Sequence, residues 1–577
     1  MLSLSLLVLL AGVGIYNVFS FLHCLRQARR TGLPYVFSPV HELSNWAFLT
    51  NATLRWLYTD SLLTGQGWPR WARYMIKDGM YEDKGRAHRE LGDVFLVVTP
   101  GGLLCYTADA GMSMNVLARR RDFIKPREKM KMIEPFGPNI VSTELPHWRR
   151  HFKITAPAVG DKVNDLVWKE TTAQTTALQG AWVRNGVENL NGDVNLLALN
   201  VMGAAGFGRQ MQWRASDETT LPAGHTMTLL AALNDLVRHL GVILLLPKKA
   251  IQWSPWKKGY VAHKEFEQYM QELIAEEKQG LAQNALYEGK LKGNLLTAVL
   301  RTNATEEKNE KATATGEKGT LSGTLSDTEV LGNIFMFFMA GYDTTANAMS
   351  FGSVLLALYP KIQDRIIAEL DQVYAEAAAA GRSELTQAED FPKFRYVLAY
   401  MYEALRVFPV VIPIARGTTQ SQQVIADSSA TFVLPAACEV VINNTAVHFH
   451  ARYWPEPETF EPLRWLSEDP NAYVPSAPTA QQRREIGKKL QERGQWNPNH
   501  RRGTFLTFGE GPRACIGRRF AHAEYAAYFA CLLRRHRVHL ADGLAAGEVE
   551  RRLRMTSGGG LVTLTPRDNV KLKLVAR

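Results

Sequence analysis

Cysteine is scarce in this chain. There are five in 577 residues, Cys24, Cys105, Cys438, Cys515 and Cys531, widely spaced and with no C-x-x-C pair. That excludes a disulfide framework and a structural zinc site, so any cysteine chemistry rests on a single thiol. No flavin-binding or nicotinamide-binding fingerprint occurs, and no internal repeat. The net charge is +11, yet there is no continuous polybasic tail and no nucleic-acid motif. The basic balance therefore points to an anionic membrane or an acidic protein partner, not to nucleic acid. Apolar residues are not lacking: 46% of the chain is hydrophobic and 21% charged, which affords a large core and excludes wholesale disorder.

Charge is also missing from residues 2–22, LSLSLLVLLAGVGIYNVFSFL. A run of about twenty apolar residues is long enough to span a bilayer as a helix. Arg26, Arg29 and Arg30 follow at once, and the positive-inside rule then places the body of the protein in the cytosol. A cleaved signal peptide would carry a basic amino end and a shorter apolar run. The expectation is a retained single-pass anchor at 2–22, a linker at 23–45 broken at Thr31-Gly32-Leu33-Pro34, and one catalytic domain at 46–577.

Helical periodicity dominates from about 145 to 300. VFLVVTP at 94–100 reads as a strand, and MTSGGGLVTLTP near the end as a hairpin. Residues 303–325 and about 467–503 are polar and read as surface connections. Ser326 followed three residues later by Glu329 is a capping box, and the proline-free run to Pro360 predicts a helix of roughly 45–50 Å. Midway along it stand Gly341, Asp343, Thr344 and Thr345, all poor helix formers. One reading is a buried helix whose threonines bond back to the preceding turn. The other is a gap where something approaches the helix axis beside an acid and a hydroxyl.

Cys531, inside FACLLRR, reads as a small buried hydrophobe. Cys515 differs, because Gly509, Gly511 and Gly517 allow tight turns around it. Arg513 and a following helix amino end would stabilise a thiolate. Such a thiolate serves as nucleophile or metal ligand, and no nucleophile motif fits. Phe508-Gly509-Glu510-Gly511-Pro512-Arg513-Ala514-Cys515-Ile516-Gly517 resembles, at every fixed position, the F-x-x-G-x-R-x-C-x-G loop of the cytochrome P450 family. Ala340-Gly341-Tyr342-Asp343-Thr344-Thr345 resembles its [AG]-G-x-[DE]-T-[TS] segment. Glu403-Ala404-Leu405-Arg406 resembles its E-x-x-R, and Phe460-Glu461-Pro462-Leu463-Arg464-Trp465 its F-x-P-x-R-[FW].

The resemblance covers roughly residues 35–570 and is closest to microsomal, fungal members. It implies a mainly α fold with a small β-rich lobe, and haem b with Cys515 as the axial iron ligand. Phe508, Gly511, Arg513 and Gly517 are then cofactor-binding, with Trp148 and Arg416 as further contacts. Thr344 is expected to hydrogen-bond dioxygen and Asp343 to deliver protons, while Glu403, Arg406 and Arg464 are structural. One departure stands out: the family's W-x-x-x-R has Phe152 in place of the arginine after Trp148. Arg149, Arg150, His151 and Lys153 are the candidates to replace that propionate partner.

By the same resemblance, the expected function is a monooxygenase reaction on an apolar small molecule. The electrons come from a separate NADPH-cytochrome P450 reductase at the endoplasmic reticulum membrane. Arg483, Arg484, Lys488, Lys489, Arg493, Arg501, Arg502, Arg518 and Arg519 are candidates for a cationic face toward that partner. GVILLLP at 241–247 fits either a membrane-facing substrate entrance or a core helix. Fungal secondary metabolism is expected by analogy alone. The alternatives are a haem-thiolate isomerase or dehydratase that needs no dioxygen, and a non-catalytic haem-binding protein.

Overall fold

In the computed structural model the described residues are 2–42, 44–76, 79–126, 130–208, 221–282, 293–313, 323–466, 502–556, 558–559, 563–566 and 568–577. The β-branched run VFLVVT is buried along its whole length, as a strand covered on both faces requires. It belongs to a six-stranded sheet built from β1 (Tyr35–Phe37), β2 (Val94–Thr99), β3 (Gly102–Thr107), β4 (Phe123–Ile124), β5 (Pro413–Thr418) and β6 (Cys438–Asn443), in the order β1-β2-β3-β6-β5-β4. The antiparallel pairing of β4 with β5 sets Ile124 opposite Gly417. Two further strand pairs, Gln422–Ile425 with Thr431–Leu434 and His536–Leu540 with Leu572–Ala576, lie outside this sheet. The hairpin expected near the end is present, β7 (Gly558–Gly559) pairing antiparallel with β8 (Leu564–Thr565).

Helix α1 (Leu2–Thr31) ends where Gly32 takes a left-handed φ of +73°, at the break read from Thr-Gly-Leu-Pro. Its last turns pack Cys24 and Ala28 into one apolar cluster with Leu96, Val98, Cys105 and Cys438 of the sheet. The segment expected as a linker, 23–45, thus carries the end of α1 and then β1, which pairs with β2. Among the described residues no helix is long and apolar enough to cross a membrane. All five cysteines are free thiols, and burial pushes that of Cys105 up to about 12.

The larger, helical part is organised by α2 (His147–Thr155), α3 (Asp161–Asn185), α4 (Leu190–Phe207), α5 (Asp327–Leu358), α6 (Tyr396–Val407) and α7 (Arg518–Leu532). The capping box starts α5: the Glu329 amide donates to Ser326 Oγ at 3.3 Å, and the Ser326 amide to Glu329 Oε2 at 2.9 Å. The helix then runs unbroken for 32 residues, buried among α4, α6 and α7. Its apolar surroundings hold the poor helix formers in place, since tertiary burial outweighs propensity. The polar stretch read as a connection at 303–325 is different at its start, because Leu295–Thr313 is one helix. Glu, Lys and Ala are good helix formers, so low hydrophobicity there marked an exposed helix. Residues 314–322 of that stretch, and 467–501 of the second polar stretch, lie outside the described residues.

Helix α6 buries Glu403 and Arg406 completely. Arg406 donates to both Glu403 oxygens, at 2.9 and 2.8 Å. Arg464 Nε, Trp465 Nε1 and the Glu461 amide donate to the same carboxylate at 3.1, 2.9 and 2.9 Å. The remaining guanidinium hydrogens of Arg406 reach the carbonyls of His448, Pro457 and Thr459. Facing two arginines, Glu403 is held down at about 2 despite its burial. A lowered carboxylate stabilises the fold fully above its ordinary range near 4.5 and loses that contribution only as pH falls toward 2. Glu403→Gln leaves two buried cations uncompensated and is expected to cost about 3–5 kcal/mol. Thermal unfolding should show that loss as a gap that stays constant across neutral pH.

Candidate active site

The Cys515 loop hangs from the network just described. His448 is fully buried, and burial pushes its imidazole down to about 3. It is therefore neutral, and its Nε2 accepts the Leu506 amide at 3.0 Å. Thr507 Oγ1 donates to the Leu405 carbonyl of α6 at 3.2 Å. The Gly509 amide then donates to Leu506 O, and the Cys515 amide to Phe508 O, both at 2.8 Å. Gly511 has φ +72°, and a Cβ there would come within 2.8 Å of the Leu117 carbonyl. Only glycine suits that turn. Gly517 has an ordinary φ of −84° and caps α7; a Cβ on it would sit 3.8 Å from Cys515 Sγ.

Cys515 faces a cavity of about 420 Å³. The loop from Leu506 to Gly517 forms one side, and Ala340, Gly341, Thr344, Thr345 and Ala348 of α5 form the other. The sulfur is open to the cavity; the surrounding low-polarity protein still holds the thiol above its ordinary value, against the Gly517 amide and the Arg518 charge. The cation acting on it is thus Arg518, not Arg513. Arg513 turns away to bind Glu144 Oε2 and the Thr143 carbonyl, both at 2.7 Å, and its guanidinium carbon lies 4.4 Å from the centre of the buried Trp148 ring.

One edge of the cavity is cationic. Arg513, Arg416 and Lys125 all line it. Burial and mutual repulsion push Lys125 down to about 7 and Arg416 down to about 10. Glu144 is the carboxylate that offsets them, while Glu510, also on the lining, pairs with Arg502 at 3.3 Å. Arg416 is buried and Lys125 and Arg513 are half-buried, so three basic groups share one carboxylate, and an anionic guest would favour their charged forms.

On the opposite wall, Thr344 lines the cavity and donates its hydroxyl to Ala340 O at 2.8 Å. Thr345 Oγ1 does the same to Gly341 O at 2.7 Å. The two sequence readings of this segment therefore coexist: the threonines bond back, and they also face the gap. The small size of Gly341 serves packing as well, since a Cβ there would meet Met202 Sδ of α4 at 2.5 Å. The carboxylate of Asp343 turns toward the C-terminal hairpin, where Thr563 Oγ1 donates to its Oδ2 at 2.5 Å.

The family profile for Cytochrome P450 matches residues 70–571. The chain belongs to the cytochrome P450 family. It is 41% identical to cytochrome P450 monooxygenase prx9 of Penicillium rubens over 98% of this chain and 96% of the relative. It is 25% identical, over 97% of both chains, to the phomenoic acid biosynthesis cluster cytochrome P450 monooxygenase of Leptosphaeria maculans. The crystal structure of the cytochrome P450DA heme domain superposes with a TM-score of 0.64 at 18% identity, covering 94% of this chain and 98% of that one. This P450 is accordingly a monooxygenase whose cofactor is haem, with a cysteine thiolate as axial ligand.

The cavity fits that cofactor: an apolar slot, a cysteine at one face, and surplus cations at the edge where two carboxylates would lie. Among the candidates to replace the arginine missing at Phe152, Arg150 pairs with Glu329 and Lys153 with Glu306. His151 is buried against Asn333 at 2.8 Å, and Arg149 is exposed on α2. None of the four lines the cavity, whereas Phe152 does.

Lys125 supplies the third cation instead. It is the residue after Ile124, so the β4–β5 register carries it alongside Arg416, and its Nζ donates to Val141 O at 2.7 Å. No local sequence signal marks Lys125, Glu144 or His448, because long-range pairing brings each into place. Lys125→Gln is expected to speed haem transfer to apomyoglobin about tenfold. Lys125→Arg should stay near the wild-type rate, and Arg149→Gln should leave the rate unchanged.

Proposed function

We propose that this P450 is a membrane-anchored monooxygenase of fungal secondary metabolism. It inserts one atom of O2 into an apolar small molecule with electrons from NADPH-cytochrome P450 reductase. The observation that carries this reading is the single chamber joining Cys515 and Thr344 to a wall of Leu117, Ile140, Met336, Val410 and Ile414. Haem bound there supplies activation and splitting of dioxygen, one atom going to substrate and the other leaving as water.

The chain's own residues supply binding, orientation and protons. Cys515 would hold the cofactor through its thiolate, and Arg513, Arg416, Lys125 and Trp148 would hold its carboxylate edge. The apolar wall binds substrate by burial and keeps water away from the reacting centre. Thr344 Oγ1 stands on that wall as a hydroxyl able to hold a water or a proton. Asp343, next along the helix, carries the carboxylate that takes protons from the solvent side.

Support for the anchor comes from α1, where Val13, Ile15, Tyr16, Val18 and Phe19 are all more than half exposed. Trp56 and Trp253 are also exposed, and tryptophan suits a membrane interface. In the run at 241–247 Ile243 is a core residue while Leu246 is exposed, so the run packs as a core helix on one side and is open on the other. Toward the reductase, Arg519 in the first turn of α7 is exposed and 3.4 Å from Asp161, while Arg518 lies over the Phe508 ring. Arg483, Arg484, Lys488, Lys489, Arg493 and Arg501 lie outside the described residues. The Leptosphaeria relative belongs to a phomenoic acid biosynthesis cluster, which supports the metabolic context.

Microsomes carrying the protein should give a strongly red-shifted Soret band for the reduced carbon monoxide complex, and Cys515→Ala should abolish it. With added reductase, NADPH and labelled O2, apolar candidates should yield a product carrying one labelled oxygen. Product that forms without NADPH or O2 would point instead to an isomerase or dehydratase.

A further inference from the structure

The C-terminal hairpin meets the long helix at a point that the proposed mechanism leaves unexplained. Thr563 is buried to 2% exposure, immediately before β8. Its hydroxyl donates to Asp343 Oδ2 at 2.5 Å and accepts from Asn347 Nδ2 at 2.8 Å. Asn347 lies one turn beyond Asp343 and is fully buried; its Nδ2 also donates to the Asp343 carbonyl at 2.9 Å and reaches Oδ1 at 3.4 Å. Amide, hydroxyl and carboxylate thus form a chain in which each member fixes the next. With its lone pair engaged by Asn347, the Thr563 hydroxyl has its proton directed at the carboxylate.

The hairpin holding Thr563 is itself fixed. Leu564 is fully buried, and its amide donates to the Val410 carbonyl at 2.9 Å. Val410 lines the substrate side of the cavity, as Thr344 does, whereas Asp343 is not part of the lining. The acid therefore stands beside the chamber, oriented by Thr563, whose neighbour Leu564 bonds to the chamber wall at Val410.

We infer that Thr563 is a positioning residue: its hydroxyl, held by Asn347, sets where the Asp343 carboxylate stands relative to Thr344. The inference rests on the reading of Asp343 as the proton donor. A hydrogen bond to a carboxylate oxygen is among the stronger ones, so its loss frees the carboxylate from its fixed place beside the chamber. A valine at 563 keeps the shape and removes the donor.

Substrate-free turnover tests this without knowledge of the substrate. With reductase and NADPH, oxygen leaves either as hydrogen peroxide, after two electrons and two protons, or as water, after four of each. Poor proton delivery raises the peroxide formed per NADPH. Thr563→Val should raise that share several-fold, Thr563→Ser should restore it, and Asp343→Asn should raise it at least as much. Adding Thr563→Val to Asp343→Asn should change nothing further. Thermal unfolding of the four holoproteins should show the same non-additivity, which reports the hydrogen bond independently of turnover. If Asp343→Asn leaves the peroxide share unchanged, Asp343 is not the acid, and the mechanism proposed above falls with this inference. If Asp343→Asn raises it and Thr563→Val does not, or if the two effects simply add, the role of Thr563 alone is overturned.

Discussion

A carboxylate with no exposure to solvent, gripped by two arginines and an indole, is the constraint on which the proximal side of this molecule depends. Glu403 binds Arg406 on its own helix and Arg464 and Trp465 from a short turn some sixty residues away. Burying these charges is expensive, and the mutual attraction recovers the cost only because each polar atom finds a partner. What the fold gains is position. Arg406 fixes the His448 carbonyl, and His448 fixes Leu506 through a neutral ring nitrogen. Leu506 begins the loop that ends at Cys515. A cysteine on an irregular segment is thereby placed with the accuracy of a helix.

The opposite wall is built on different physics. There α5 carries residues that would weaken an isolated helix, and its packing against α4, α6 and α7 supplies the stability that propensity does not. The wall can therefore afford small and polar residues where the chamber needs room. The chamber is thus bounded by a polar network on one side and by apolar burial on the other.

Much of this was legible in contiguous stretches of the chain. The Cys515 loop, the Asp343-Thr344-Thr345 segment, the E-x-x-R turn and the Ser326 capping box each carry their chemistry within a few residues, so local pattern sufficed. Other features depend on register and tertiary approach. Lys125 reaches the cationic edge of the cavity only because Ile124 pairs with Gly417, and Thr563 meets Asp343 across some two hundred residues of chain. The glutamate-rich start of the polar stretch after 300 was misread because composition separates core from surface, not helix from loop. The rule that a neighbouring arginine lowers a thiol also failed for Arg513, whose charge is committed to Glu144.

The crowding of Lys125, Arg416 and Arg513 around a single shared carboxylate bears on the life of the polypeptide before it ever turns over. A freshly made chain must gather these basic groups in a poorly hydrated place, and among the described residues Glu144 is the carboxylate that offsets them. The incoming dianion removes that repulsion, so its binding energy becomes folding energy for the cofactor edge. Cofactor supply then governs how much protein survives cellular quality control. Abundance in the cell should therefore rise with haem supply.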